Sequence, residues 1–360
     1  GLPLFYAFSI IAGGKERTMS LRGRTALIVA GAGMNLSTYG IGVWGDSVLL
    51  SSGSFVGPAL AALSDTYLLF SALGLFGALI ARVIIAVVSG ASNHRYLACG
   101  LGPMAMAAAL FISGVWNTSG LLVALAAFCV GWSFACQSLF WATSISFEPK
   151  QMRTIFPLEL ACAAASNGLF VIGFMDNQGL FLGLCIALSA AASVALVRLD
   201  QKCEQPKMVP VAGFFESRYV PAFRTFAEVL FCVVALQTIA PTLNYMGFLG
   251  DLSPIEQQLV VAGAKLAAVV ALVAILRFSK APLLSVQVFK VVTPVLILLL
   301  FAVPFAPAPY LLGLLAAGSC LHFVVMNSLF CIDAIAIAQR HRLVFEAFYG
   351  AGYLLLMGFC

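Results

Sequence analysis

Lys265 stands near the middle of a long apolar run, where a charged side chain is hardest to keep. An ammonium at the centre of a bilayer costs ~2.5–3.5 kcal/mol on insertion scales. Such a group calls for a partner, a wet cavity or an anionic ligand, unless it snorkels to the surface. His322 lies in a second apolar run and has the one side chain that titrates near neutral pH when unperturbed. Uncharged polar and aromatic residues recur in the same kind of setting: Asn35, Tyr39, Trp132, Gln137, Trp141, Gln237, Asn244, Tyr245 and Asn327. Polar groups facing lipid are costly, so they are expected to face a cavity or a neighbouring helix. Hydrogen-bonding and aromatic groups gathered in one concavity make a small-molecule site. The alternative for each of them is an interhelical contact, worth about 0.6 kcal/mol on average.

Covalent catalysis finds little to work with. The sequence has no Walker loop, no Gly-x-Ser-x-Gly and no His-Glu-x-x-His. The histidines, His94, His322 and His341, are scattered. His341 and Glu346 have a His-x4-acid spacing, which assigns nothing by itself. Cys129, Cys136, Cys162, Cys185, Cys232, Cys320 and Cys331 lie in apolar stretches, with no Cys-x-x-Cys pair or Cys/His cluster at metal spacing. They read as small core- or lipid-facing side chains. The expectation is therefore no enzyme, no cofactor and no metal.

The elements that must hold these residues follow from composition. Charged residues make up 9% of the chain and hydrophobic ones 62%, with a mean hydropathy of +1.04. Soluble domains carry roughly 25% charged residues, so lipid has to be the solvent for most of this chain. Crossing the hydrocarbon core takes about 20 apolar residues as a helix, and only helices or closed barrels satisfy their backbone there. The runs are continuous, without period-two alternation, so helices are expected. They fall at about 25–44, 66–89, 96–116, 120–144, 154–175 and 179–197, then 226–248, 257–277, 284–305, 309–331 and 343–360. The connection 45–65 reads either as a surface helix or as an extension of the second span, with Pro58 marking a break.

Charge alternates with these spans. Sixteen of the nineteen Lys and Arg residues fall on one side: Lys15, Arg17, Arg22, Arg24, Arg95, Lys150, Arg153, Arg198, Lys202, Lys207, Arg218, Arg224, Arg277, Lys280, Arg340 and Arg342. The opposite connections hold Asp46, Asp65, Asp176, Asp251 and Glu256. The excess of Lys and Arg in cytoplasmic loops puts the N-terminus and the long middle loop in the cytoplasm, and the protein in the plasma (inner) membrane. Arg82 and Lys290 stand within two turns of that surface and are expected to snorkel. Glu159, Glu228 and Glu346 stand near helix starts, where carboxylates are favoured.

The expected organisation is a cytoplasmic segment 1–24, a first six-helix half 25–197, a cytoplasmic central loop 198–225 and a second half 226–360. The chain starts at Gly1 and stops at Cys360 inside an apolar run, so the second half is expected to be truncated before a twelfth span. Met19 is a plausible start, with 1–18 as upstream read-through or the tail of an earlier span. The fold class is all-α: a polytopic transmembrane bundle with about eleven spans present.

Two six-helix halves resemble the major facilitator (MFS) architecture, and that resemblance implies a cavity lined by the first, fourth, seventh and tenth spans. These spans carry the uncharged candidates above. Transporters of this kind usually hold a Gly-x-x-x-Asp-Arg-x-Gly-Arg-Arg loop. SGASNHRYLACG keeps Gly90 and Arg95 without the Asp, and RFSKAPLL is equally reduced.

MSLRGRTALIVAGAGMNLSTYG, FWATSISFEPKQMRTIFPLELACAAASNGLF and IAQRHRLVFEAFYGAGYLLL are similar to the membrane portion of bacterial LuxR-type helix-turn-helix regulators with an MFS-like N-terminal region. The resemblance spans about residues 19–360. It implies a one-component regulator in which an unidentified small ligand, bound within the membrane, alters DNA binding by a domain following residue 360. Contact with DNA would come only through that domain. A transporter or facilitator of a small organic solute is the other expectation.

Overall fold

A computed structural model describes residues 21–43, 58–89, 93–146, 151–202, 219–247, 254–279, 283–302, 305 and 307–359. Among them the regular structure is helical, without strands. In chain order the helices are α1 Leu21–Thr38, α2 Pro58–Ser89, α3 Asn93–Ser113, α4 Gly120–Ser146, α5 Met152–Gly173, α6 Gln178–Lys202, α7 Tyr219–Gly247 and α8 Pro254–Phe278. They continue with α9 Leu284–Ala302, α10 Ala308–Val324, α11 Phe330–His341 and α12 Phe345–Phe359. A π-turn, Tyr39–Val43, extends α1, and another, Val325–Leu329, joins α10 to α11 without a break.

Among the described residues, seven helices are long and apolar enough to cross a membrane: Ala59–Val87, Gly120–Ser146, Met152–Gly173, Gln178–Leu199, Val220–Thr238, Leu259–Phe278 and Leu312–His341. Cys99–Ser113 and Leu284–Leu298 are shorter apolar helices. Their outer faces are those of helices dissolved in lipid. Ile172 on α5 is 86% exposed and Val270 on α8 is 70% exposed, and Leu298 and Phe301 on α9 are also exposed. Apolar surface on this scale has no place in water.

One expected boundary is corrected, and for another the structure takes one of the two alternatives. The tenth run does not stop at 331, because the helix carries on through the π-turn to His341. α2 begins at Pro58, so the connection 45–65 supplies an extension of the second span from that residue onward. Proline fits there because its missing N–H falls among donors that a first helical turn leaves unpaired anyway. Residues 1–20 and 203–218, which include most of the expected N-terminal segment and central loop, lie outside the described residues.

The chain forms two compact units. The first comprises residues 1–151 and 169–210; the second comprises 152–168 and 211–360, so most of α5 groups with the later helices.

In the first unit α4 is the hub, packed by α1, α2, α3 and α6. Its approach to α2 depends on two glycines. A Cβ on Gly74 would meet the Phe128 carbonyl oxygen at 2.1 Å, and one on Gly131 would meet the Ser71 carbonyl oxygen at 1.9 Å. Each helix thus presses a backbone carbonyl into the space the other's glycine leaves open, the close approach that small residues allow in membranes.

In the second unit α7 packs against α9, α10, α11 and α12, and α8 packs against α10. Phe226 sits between Phe330 and Phe348, with ring centroids 5.6 and 4.4 Å away. Gly352 lets that stack close, since a Cβ there would fall 2.3 Å from the Phe226 ring.

Candidate functional site

The candidates divide between the two units. In the first, α1, α4 and α6 build a network of uncharged groups. Asn35 donates from Nδ2 to Ser138 Oγ at 3.0 Å. The Trp141 indole N–H donates to Ser189 Oγ at 3.2 Å, and that hydroxyl donates to the Gly31 carbonyl at 2.8 Å. Gln137 is 2% exposed and donates from Nε2 to Met104 Sδ at 3.0 Å and to Ser193 Oγ at 3.4 Å. Its Oε1 is buried without a hydrogen-bond partner. Tyr39 packs on Phe134, with centroids 5.0 Å apart. Trp132 turns to α3, where its indole N–H donates to the Cys99 carbonyl at 3.2 Å.

Small residues decide this arrangement. Ser189 and Ser193 sit one helical turn apart on the Ala/Ser-rich stretch of α6, so both hydroxyls meet α4 on one face. Arg82 corrects an expectation: it is 3% exposed, and its guanidinium lies near Cys136 rather than snorkelling to a surface.

The second unit holds the charged part. Lys265 is 3% exposed, so it does not snorkel either. Its ammonium donates to Asn167 Oδ1 of α5 at 2.9 Å and lies 4.7 Å from the centroid of the Phe323 ring. An ammonium over a ring face is drawn to the negative side of the ring quadrupole. Phe323 meets its neighbour His322 edge-on at 5.3 Å. His322 Nδ1 lies 2.9 Å from Gln237 Nε2 and 3.0 Å from Gln237 Oε1, so the amide pairs with it in either tautomer. The result is a chain of contacts, Asn167–Lys265–Phe323–His322–Gln237, drawn from α5, α8, α10 and α7.

Asn327 lies in the π-turn below this chain. The Asn327 Nδ2 and Ser328 Oγ atoms are buried without hydrogen-bond partners. The backbone of Asn244 and Tyr245 belongs to α7, while their side chains lie outside the described residues.

Of the eleven candidates, the structure brings Lys265, His322 and Gln237 into one contact chain. In the first unit, Gln137 and Trp141 bond different serines of α6, Ser193 and Ser189, Asn35 is tied to Ser138, and Trp132 bonds α3. Two functional-looking residues escaped the sequence reading. Asn167, the partner of Lys265, lies on the fifth helix, outside the spans singled out. Asp333 is 0% exposed and accepts the backbone N–H groups of Leu284 and Ser285, at 2.9 and 2.8 Å. An acid two residues beyond the expected end of an apolar run was the available signal for it. Among the described residues no His, Cys, Asp and Glu gather in a group able to hold a metal.

No family model matches this sequence, and no curated protein matches it.

Proposed function

We propose that this chain is the membrane-embedded, ligand-sensing region of a LuxR-type helix-turn-helix transcriptional regulator, built on an MFS-like plan of about eleven spans. Catalysis has no part in this reading. The observation that carries it is the buried Lys265 ammonium, positioned by the Asn167 amide and the Phe323 face beside the His322–Gln237 pair. Four helices converge to fix one positive charge, a ring face and an imidazole in an apolar unit. That set suits a small organic anion with a flat apolar body: the ammonium for its charge and the ring for its body. A sensor needs only different affinities for the ligand in two conformations. The reduced gating loops of the sequence fit that lesser demand.

The test is thermal unfolding in detergent with small organic anions, beginning with benzoate. Benzoate or a relative raising the melting temperature of the wild type, with the gain lost in Lys265→Gln, is the expected outcome. An unchanged gain in that variant rejects the site.

Transport of a small organic solute is the second reading, favoured by the separate polar networks of the two units. Saturable flux of the stabilising anion into proteoliposomes would move the assignment to it. The coding sequence after the Cys360 codon discriminates further. Another apolar span followed by a helix-turn-helix pattern supports the regulator, and a stop codon soon after that span supports the transporter.

A further inference from the structure

Asp333 presents an arrangement that ligand binding does not explain. Its carboxylate is fully buried in an apolar helix, yet it meets two successive backbone N–H groups at the start of α9. A helix start carries roughly half a positive charge on such groups, which is what allows a carboxylate to stand there. Nearby, Ser279, at the end of α8, donates its hydroxyl to Gln287 Oε1 of α9 at 2.6 Å. The start of α9 is thus pinned from two sides, by α8 and by α11.

Asp333 belongs to the same unbroken helix as His322. Eleven residues at 1.5 Å each place it roughly 16 Å further along. The π-turn Val325–Leu329 lies between them. Such turns are rare and concentrate at functional sites. Here the backbone N–H of Phe330 reaches back five residues to the Val325 carbonyl. The side chains that could lock the wide turn, through Asn327 Nδ2 and Ser328 Oγ, make no hydrogen bond. Leu329 and Phe330 are fully buried, so α11 is packed firmly on the far side of the turn. Tightening the turn to α geometry changes the winding between α10 and α11. Asp333 would then swing around the helix axis relative to His322 and leave Leu284 and Ser285.

We infer that the π-turn and Asp333 form a two-state coupling, through which the state of the His322–Lys265 cluster sets whether the start of α9 is held or released. Asp333 is a positioning residue in this scheme and touches no ligand. The inference rests on the cluster being the ligand site, and the test is arranged so that the two fail separately. It uses His322→Leu, which alters the cluster whether or not anything binds there.

The experiment is amide hydrogen exchange of Leu284 and Ser285 in the full chain in detergent. Asp333→Asn is expected to speed exchange at both amides about tenfold, the loss of a hydrogen bond to a charged group. His322→Leu is expected to speed the same two amides although it lies far from them. Combined with Asp333→Asn it should add nothing. The mid-helix amides of α8 serve as reference. His322→Leu leaving Leu284 and Ser285 at wild-type rates overturns the coupling and leaves Asp333 a simple helix cap, and so does a rise shared equally by α8. Should Asp333→Asn fail to fold, Leu284→Pro removes one donor at a first helical position that accepts proline. Ser285 then reports: additive effects of Leu284→Pro and His322→Leu overturn the inference, and non-additive ones support it.

Discussion

Gly31 and Trp141 share one space. A Cβ on Gly31 would stand 2.1 Å from the Trp141 ring, and Ser189 binds both residues, accepting from the indole and donating to the Gly31 carbonyl. The aromatic group thus lies across bare backbone of α1 and is held there by a hydroxyl of α6. Gly31→Ala forces the ring from its place and strains the serine bridge. The expected loss is about 1–3 kcal/mol, as for other overpacked cores, measured by denaturant unfolding in detergent. Trp141→Leu should remove most of the added cost of Gly31→Ala, because the two substitutions act on one contact.

The pair Gly74 and Gly131 allows less relief. Their obstructions are carbonyl oxygens, which cannot rotate away as a side chain can. Gly131→Ala is expected to cost more than Gly31→Ala. Gly173→Ala, at the last residue of α5 where nothing lies within 4 Å, should be near neutral. Equal melting temperatures for Gly131→Ala and Gly173→Ala would show that α2 and α4 do not approach as described.

Lys265 and Asn167 should respond unequally to substitution. Asn167→Ala takes the amide oxygen from a buried ammonium, and losing a hydrogen bond to a charged group costs about 1.5–3 kcal/mol. Lys265→Met removes the charge itself, so its cost should be smaller and its sign can reverse. The double variant is expected to resemble Lys265→Met alone. Additive losses in the thermal unfolding series would mean the two side chains act independently.

The exposed face of α8 tests the membrane reading. Val270 points outward near the middle of that helix, five residues beyond the buried Lys265. Val270→Lys puts a second ammonium on the outside, at an insertion cost of ~2.5–3.5 kcal/mol. Reduced membrane integration is expected, read by alkaline extraction of membranes. Full integration at the wild-type level would argue against a lipid-facing surface at that position.

The apolar runs announced the helices clearly, because continuous hydrophobicity over twenty residues has few alternatives. Pro58 marked a boundary, and Lys265 stood out as a charge in need of company. What remained hidden was the identity of the company. Asn167 is one uncharged residue within Ala-Ala-Ala-Ser-Asn-Gly, and only the packing of α5 with the later helices brings it to the ammonium. Asp333 lay past the expected end of its run, and its partners are backbone N–H groups, which carry no residue code. Arg82 misled for a related reason. Depth along a helix was legible, but the inward direction of its side chain, toward Cys136, was decided by the helices around it.

The reciprocal seating of α2 and α4 bears on any movement of the first unit. Sliding either helix by a single residue would drive a Cβ into a carbonyl oxygen at both Gly74 and Gly131, so the pair behaves like a ratchet with two pawls engaged. A displacement at one end of α2 is therefore expected to carry α4 with it.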